Sequence, residues 1–399
     1  MEEREEKAAE VYAGLMSGTS ADGVDVALVS FGGDEGPPVT LVAHETLRYS
    51  PEVQARIRAC QGAKVASLRE VVLLDAYLGE LFAHALLRLL EKAGVEREAV
   101  AAVGSHGQTL YHHPRWEAYP GFSVHGTFQA GNPAVIAQRT GLTVVSHFRC
   151  RDMASGGEGA PLAPLLDHFL YHHPSRGRLV LNIGGIANVT AIPAGAGLER
   201  VVAFDTGPGN VLMDLAVRRY TGGKASYDAN GAWAAAGRVV EPLLRRLLEH
   251  PFLKTPPPKS ADREAFGPAF LEQILAEFPS VAPKDLLATL AAFTTGSVSS
   301  AILEFLLQKE RYEEVIVSGG GAENPVLMKG LAEALPKLMV TKADDYGLPG
   351  RAKEAVLMAF LARETLAGRP GNVPSATGAR HPVVLGSITP GSRFPFPLP

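Results

Sequence analysis

The sequence predicts an α/β protein made of one unit used twice, and three observations predict it. A chain of 399 residues is long enough for two large domains at a soft prior of about 150 residues each. Its 42 glycines cluster just after apolar, strand-like runs, where small residues let a backbone loop close around a ligand. The order strand, glycine turn, strand, strand, helix begins near Val11 and again near Leu179, which implies a cleft between two halves.

The first unit starts with the apolar run Val11–Leu15, followed by the turn Met16–Gly23. Val24–Phe31 and Val39–Arg48 alternate as strands do. Helical spacing covers Pro51–Ala59 and Leu68–Ala93, and the strand Val100–Val103 then runs into Gly104-Ser-His-Gly-Gln-Thr109. His113–Phe128, rich in Pro, Gly and aromatics, reads as a hairpin. In the second unit Leu179–Ile183 leads to Gly184-Gly-Ile-Ala-Asn188, then Val189–Ile192, Val201–Phe204 and the turn Asp205–Asn210. Helices are expected over Val211–Tyr220, Ala229–Leu248 and Lys284–Lys309. The strand Glu314–Val317, the loop Ser318–Gly321 and a helix from Asn324 close the repeat. The tail Ser392–Pro399, with three prolines, is expected to lie over the surface.

Composition excludes several classes. With 38 Lys and Arg against 42 Asp and Glu, nothing global draws the chain to nucleic acid or an anionic membrane. Two cysteines, Cys60 and Cys150, cannot make a disulfide framework or a four-cysteine zinc site. The apolar windows Val71–Ala93 and Leu286–Leu307 are interrupted by polar residues and read as buried helices, not spans. The charged start Met1–Lys7 has no apolar stretch behind it, so the expectation is a cytoplasmic protein without a secretory signal.

Four constellations carry chemistry. In Gly14–Asp25, successive backbone N–H groups and the hydroxyls of Thr19 and Ser20 suit phosphate oxygens. Asp22 and Asp25 make sense there if Mg²⁺ bridges or if one of them orients the loop; a plain hairpin turn is the bland alternative. Phe204-Asp-Thr-Gly-Pro-Gly-Asn210 places a carboxylate, Asp205, at a strand end beside glycines, which suits a base next to phosphate. Asn210 is equally a helix cap. The glycines Gly319, Gly320 and Gly321 before Asn324 offer bare backbone for a flat adenine or ribose. His147–Leu162 contains Arg149 and Arg151, which suit a carboxylate-bearing substrate or else ion pairs with an acid such as Asp152. His106, Gln108, Gln129 and Asn132 stand on glycine-lined turns and suit sugar hydroxyls. His112-His113 and His172-His173 are not read as metal sites, since neighbours in a strand point to opposite faces. Glu354, on a helix with a small-residue face, is either a cap or a cleft residue.

Together these stretches resemble the anhydro-N-acetylmuramic acid kinase family. The matching motifs are Gly14–Asp25, Gly104–Thr109, Gly131–Pro133, Phe148–Leu162, Leu181–Val189, Phe204–Asp214, Ser318–Asn324 and Glu354–Ala362, in family order over nearly the whole chain. The resemblance implies the two-domain ATPase fold of actin and hexokinase, with duplicated RNase H-like units around an interdomain cleft. The lobes are expected at residues 1–140 with the tail from about 370, and at residues 141–369.

The implied reaction opens the 1,6-anhydro bridge of anhydro-N-acetylmuramic acid with water while ATP phosphorylates O6, a step in murein recycling. The resemblance assigns ATP and Mg²⁺ to Gly18, Thr19, Ser20, Ala21, Asp22, Gly23, Val24 and Asp25, with Asp22 as the candidate metal ligand. Gly184, Gly185, Asn188, Gly207, Gly209, Asn210, Gly319, Gly320, Gly321 and Asn324 complete the nucleotide side. Asp205 matches the general base and Glu354 a supporting acid. His106, Gln108, Gln129, Asn132, Arg149, Arg151, Gly159, Ala160 and Pro161 fall to the sugar, and a homodimer is implied. Family members often differ at His147, Cys150 and Glu158, and the extension Met1–Glu10 looks longer than usual. Two competing readings are an ordinary amino-sugar kinase and a nucleotide-gated binding ATPase.

Overall fold

A computed structural model describes residues 10–18, 21–32, 38–62, 66–261 and 265–392 of the chain. Thr19, Ser20, most of the N-terminal extension and the last seven tail residues lie outside the described residues. The chain forms two compact units, Tyr171–Arg351 and the remainder on either side of it.

The first unit carries a seven-stranded sheet. Its strands are β1 (Val11–Ser17), β2 (Gly23–Phe31), β3 (Val39–Arg48), β4 (Val100–Tyr119), β5 (Phe122–Ala130), β6 (Val144–Ser146) and, from near the C-terminus, β12 (Ser387–Thr389). The order is β12-β6-β4-β1-β2-β3, with β5 paired to β4. β1, β2 and β3 form an antiparallel meander, whereas β4 is parallel to β1 and β6 is parallel to β4.

Alternation along β1 explains how this sheet is covered. Ala13 and Leu15 face one core, where Leu74, Leu78, Phe82 and Leu86 of the helix Leu68–Ala93 meet them. Gly14 faces the other side, and it pairs in register with Gly104 of β4. A Cβ on Gly14 would sit 1.8 Å from the carbonyl oxygen of Ala355, and one on Gly104 would sit 1.9 Å from that of Met358. Two adjacent glycines therefore make a flat strip on which the helix Lys353–Leu366 lies backbone to backbone.

The second unit holds β7 (Arg178–Ile183), β8 (Ile186–Ile192), β9 (Val202–Pro208), β10 (Glu314–Ser318) and β11 (Met339–Lys342), in the order β11-β10-β7-β8-β9. β7, β8 and β9 are antiparallel, and β10 and β11 run parallel to β7. This is the order and sense of β6-β4-β1-β2-β3. The expected duplication is present strand for strand.

Several boundaries differ from those expected. The unit boundaries fall at 170/171 and 351/352 instead of near 140 and 370. β6 is hydrogen-bonded into the first sheet and the helix Lys353–Leu366 packs upon it, so both belong there. β4 continues through Ser105–Thr109 because those residues keep pairing with β1 and β5. β9 likewise runs to Pro208, so Asp205 is inside the strand and not at its tip.

The helix expected over residues 229–248 is broken into a 3₁₀ turn and the helices Ala232–Ala236 and Glu241–Leu248. At Gly237 a Cβ would lie 2.0 Å from the Lys284 carbonyl oxygen, and Pro242 then opens a new helix. The expected helix ending at Lys309 is α-helical over Pro283–Ala301 and π-helical over Ile302–Leu306. Its segment Pro283–Leu306 is long and apolar enough to cross a membrane, yet 78% of its apolar 18-residue window is buried. The hairpin expected over residues 113–128 is formed by β4 and β5.

Candidate active site

In the second unit, glycine lets three turns close on one another. The N–H groups of Gly209 and Asn210 donate to the carbonyl oxygens of Gly185 and Gly184, each at 2.8 Å, and Val211 donates to Gly185 at 3.1 Å. A Cβ on Gly209 would lie 2.3 Å from the Gly184 oxygen. Gly319 has φ +80°, and a Cβ there would meet the Ile183 oxygen at 2.7 Å. A Cβ on Gly320 would lie 3.7 Å from Asn210 Nδ2. The turns at 184–185, 207–210 and 319–321 are thus assembled at one end of the sheet.

Two of the asparagines there have partners within the fold, and Asn210 is not the helix cap it could have been. Asn210 makes no side-chain cap; its Nδ2 donates to the Ile183 carbonyl at 3.1 Å and ties the turns together. Asn324 caps the helix Pro325–Ala334 by accepting from Val326 N–H at 3.0 Å, so its amide oxygen is committed to the fold. Gly207 is a packing glycine, where a Cβ would touch Ser297 Oγ at 2.9 Å.

Strand register places a polar row beside these turns. Ser318 of β10 pairs with Asn182 of β7, Asn182 with Asn188 of β8, and Asn188 with Asp205 of β9. Directly opposed residues share a sheet face. Asp205 Oδ2 accepts from Ala261 N–H at 2.8 Å and from Ser260 Oγ–H at 3.3 Å. Its own N–H donates to the Lys259 carbonyl at 3.1 Å. Burial raises the Asp205 pKa above 3.8, while the Ala261 and Ser260 donors and the Lys259 cation oppose the rise. A carboxylate with one oxygen pinned and an elevated pKa is equipped to take a proton.

In the first unit the turn between β1 and β2 is clamped at both ends by buried hydroxyls. Ser17 Oγ lies 2.8 Å from the Gly23 carbonyl oxygen, 2.7 Å from Gln108 Oε1 and 2.8 Å from Tyr49 Oη. Gln108 Nε2 donates to the Gly18 carbonyl at 3.0 Å, and Tyr49 N–H donates to that of Asp22 at 2.9 Å. Gln108 therefore positions the turn with both ends of its amide. Asn132 is also structural: it caps the helix Pro133–Thr140 and donates from Nδ2 to Asp75 Oδ2 at 2.8 Å. Gln129 is buried and donates to Thr127 Oγ1 at 2.6 Å.

The arginines separate cleanly. Arg149 Nε donates to His106 Nε2 at 3.0 Å, and its Nη1 donates to the Gly159 carbonyl at 2.7 Å. Arg151 is exposed and makes no ion pair among the described residues. Asp152 is fully buried and braces the neighbouring loop: Oδ2 accepts from Gly159 N–H, and Oδ1 from Asn372 and Thr377. That loop contains Ala160 and Pro161, joined by a cis peptide bond. Glu354 keeps solvent-accessible surface, yet protein crowds its carboxyl. This desolvation and the charge of Asp25 raise its pKa, while Arg149 and Lys353 oppose them.

Asp25 accepts a hydrogen bond from Thr46, and Asp22 is exposed at the turn. No group of three or more His, Cys, Asp or Glu able to hold a metal exists among the described residues. Mg²⁺ in phosphoryl-transfer sites takes one or two carboxylates and completes its shell with phosphate oxygens and water. A single exposed Asp beside a turn suits that donor set.

Sequence reasoning missed Ser17, Tyr49, Asp75, Asn182 and the whole 259–261 segment. Only Asn182 had a readable signal, a polar residue two places before Gly184 in an apolar run. Asp214, in the first turn after Asn210, was also passed over; burial pushes its pKa up to about 6.

A family model described as anhydro-N-acetylmuramic acid kinase matches residues 10–391. A protein of that name from Caldanaerobacter subterraneus subsp. tengcongensis is 42% identical over 379 residues, covering 94% of this chain and 96% of its own. One from Bacillus cereus is 42% identical over 380 residues, covering 94% and 98%. A ROK hexokinase structure from Thermus thermophilus aligns over 89% of this chain and 99% of its own at 15% identity and TM-score 0.37. With nearly its whole length matched, the chain belongs to the anhydro-N-acetylmuramic acid kinase family and is a kinase.

Proposed function

We propose that this enzyme uses ATP and water to convert 1,6-anhydro-N-acetylmuramic acid to N-acetylmuramic acid 6-phosphate and ADP, in the cytoplasmic recycling of murein. The observation that carries the reading is Asp205: a carboxylate raised in pKa by burial, held by two donors on Oδ2, beside three mutually packed glycine turns.

An anhydrosugar has no hydroxyl at O6 for a base to deprotonate, so the base acts on water. Asp205 takes the water proton as the water oxygen bonds to C1. The C1–O6 bond breaks, O6 takes the γ-phosphoryl group, and the bond to the β-phosphate oxygen breaks to leave ADP. The N–H groups of the turns at 184–185 and 319–321 hold the nucleotide, and the turn at 207–210, whose Gly209 and Asn210 N–H groups bond the Gly185 and Gly184 carbonyls, braces them. Asp22 would hold Mg²⁺, which supplies charge neutralisation to the phosphates.

On the sugar side, Arg149 supports the lactyl carboxylate. With Nε and Nη1 already bonded, the guanidinium is fixed in plane and presents Nη2, which has no partner among the described residues. Glu354, beside Asp25 and Arg149, supports the ring-opening end. Arg151, Gln108 and Asn132 are not assigned to substrate in this reading.

The test is mass spectrometry of the product formed in ¹⁸O-labelled water. Label at the anomeric oxygen supports hydrolytic ring opening. Product without label, or phosphorylation of a free amino sugar at a rate exceeding that of the anhydrosugar, overturns the reading in favour of an ordinary sugar kinase.

A further inference from the structure

We infer that Lys259 is a positioning residue for the general base, acting through the 259–261 segment that it anchors. The inference rests on the reading of Asp205 as that base.

Lys259 is buried although it is a lysine, and it makes no ion pair among the described residues. Its Nζ donates to the carbonyl oxygens of Phe252 and Leu253, each at 3.2 Å. These belong to the short helix Pro251–Lys254, whose terminal carbonyls lack partners within the helix. The ammonium also lies 4.8 Å from the ring centroid of Phe252, 5.0 Å from Phe305 and 6.0 Å from Phe204, the residue before Asp205. An apolar side chain would fill this aromatic space without the cost of desolvating a charge. A lysine there makes sense for the two carbonyls it holds.

From that anchor the segment acts on Asp205 three times. The Lys259 carbonyl accepts the Asp205 N–H, the Ser260 hydroxyl donates to Oδ2, and the Ala261 N–H donates to Oδ2. Main chain and carboxylate are therefore fixed by one short segment. Both side-chain bonds fall on the same oxygen, and among the described residues Oδ1 has no partner. That is the geometry of a base presenting one defined oxygen to water.

Among the described residues the charged groups around this cluster are few. Lys259 and the exposed Glu304 face it. The helix Pro251–Lys254 adds His250, whose pKa burial and Arg246 lower, and Lys254 at its exposed end. The helix Pro283–Ala301 brings Ser297 and Thr294 against the turn that follows Asp205, and β8 brings Asn188, all uncharged.

The experiment compares Lys259→Met and Ser260→Ala with the parent enzyme, using ATP and the anhydrosugar across pH. Lys259→Met is expected to lower kcat about tenfold and Ser260→Ala about two- to threefold, with both KM values within about twofold of the parent. The acid limb of the kcat profile should move to higher pH in both, because each loses a group that favours the ionised carboxylate. A merely structural role would lower Tm or the active fraction without moving that limb. Parent-like kcat and acid limb in both variants overturn the inference. If Lys259→Met does not fold, Ser260→Ala, with its exposed side chain, decides alone. Asp205→Asn run in parallel separates the two ideas. Near-normal turnover there removes the base assignment itself; an inactive Asp205→Asn beside parent-like Lys259→Met and Ser260→Ala removes only the positioning role.

Discussion

Nε2 of His106 accepts a hydrogen bond from Nε of Arg149 at 3.0 Å, and this contact assigns the tautomer of the ring. Nδ1 lies 2.8 Å from the Gly107 carbonyl oxygen, so the ring proton is on Nδ1. Burial and the adjacent guanidinium push the His106 pKa down to about 3, so the ring is neutral over the working pH range. A neutral imidazole is the right acceptor for an arginine; an imidazolium would repel it.

Arg149 and Arg151 should therefore behave differently on substitution. Arg149→Met removes the bonds to His106 and Gly159 and leaves two buried acceptors unpaired, which costs about 2–4 kcal/mol of stability or substrate binding. Arg151→Met touches an exposed side chain and should stay within about 0.5 kcal/mol of the parent. Kinetics and urea midpoints on the two variants check this, and equal effects would contradict it.

Asp205→Asn should reduce kcat by about 10²–10⁴-fold, the usual worth of a positioned base, with little change in KM for ATP. The base must be ionised to act, and its pKa lies above 3.8. Activity of the parent should accordingly fall on the acid side at a pH higher than that of an unperturbed aspartate. A steady-state pH profile reads both points.

Gly104→Ala tests the glycine strip under the helix Lys353–Leu366. The new Cβ would lie 1.9 Å from the Met358 carbonyl oxygen and 2.5 Å from its carbon, both backbone atoms that cannot rotate away. The expected loss is about 3 kcal/mol or more, and activity should fall with it because Glu354 is on the displaced helix. Gly126→Ala, where nothing lies within 4 Å, is the matched control and should be near neutral.

These cases show which parts of the molecule a sequence exposes. The meander strands and the turns at 184–185, 207–210 and 319–321 were legible because alternation and glycine clusters are local signals. The partners of Gln108 and Asn132 were not legible, because a polar residue on a glycine-lined turn looks the same whether its amide meets a sugar or the protein's own groups. Asp205 was read as a strand tip because Thr206 and Gly207 do not look like strand residues, although β8 goes on to pair with Gly207 and Pro208 past a register shift. Lys259 and Tyr49 gave no signal: each acts on a turn distant in sequence, and only folding brings them together.

Tyr49→Phe removes one hydroxyl from the Ser17 cluster and should cost about 1–2 kcal/mol, the price of a buried hydrogen bond. Burial already holds the Tyr49 pKa above its ordinary value, so the group is neutral and the loss should not vary with pH below the alkaline range. Since Tyr49 also fixes the Asp22 carbonyl through its N–H, the substitution leaves that backbone bond intact. KM for ATP should rise modestly while kcat holds; a fall in kcat with constant KM would place the residue elsewhere in the mechanism.

The raised pKa of Asp205 also has a consequence for stability. A carboxyl with a higher pKa in the folded than in the unfolded chain binds its proton more tightly when folded. Its contribution therefore favours the folded state at pH below 3.8 and is lost as pH rises through the elevated folded value. At neutral pH the parent retains an ionised, partly desolvated carboxylate. Asp205→Asn keeps an oxygen to accept from Ser260 and Ala261 but carries no charge, so it should raise Tm by about 1–3 °C at neutral pH. The difference should disappear near the acid end, where the parent's own carboxyl is protonated. Thermal melts of the two proteins across pH give the curve directly. A variant less stable than the parent at neutral pH would mean that the Ser260 and Ala261 bonds outweigh desolvation, and that Asp205 is held for structure more than for proton transfer.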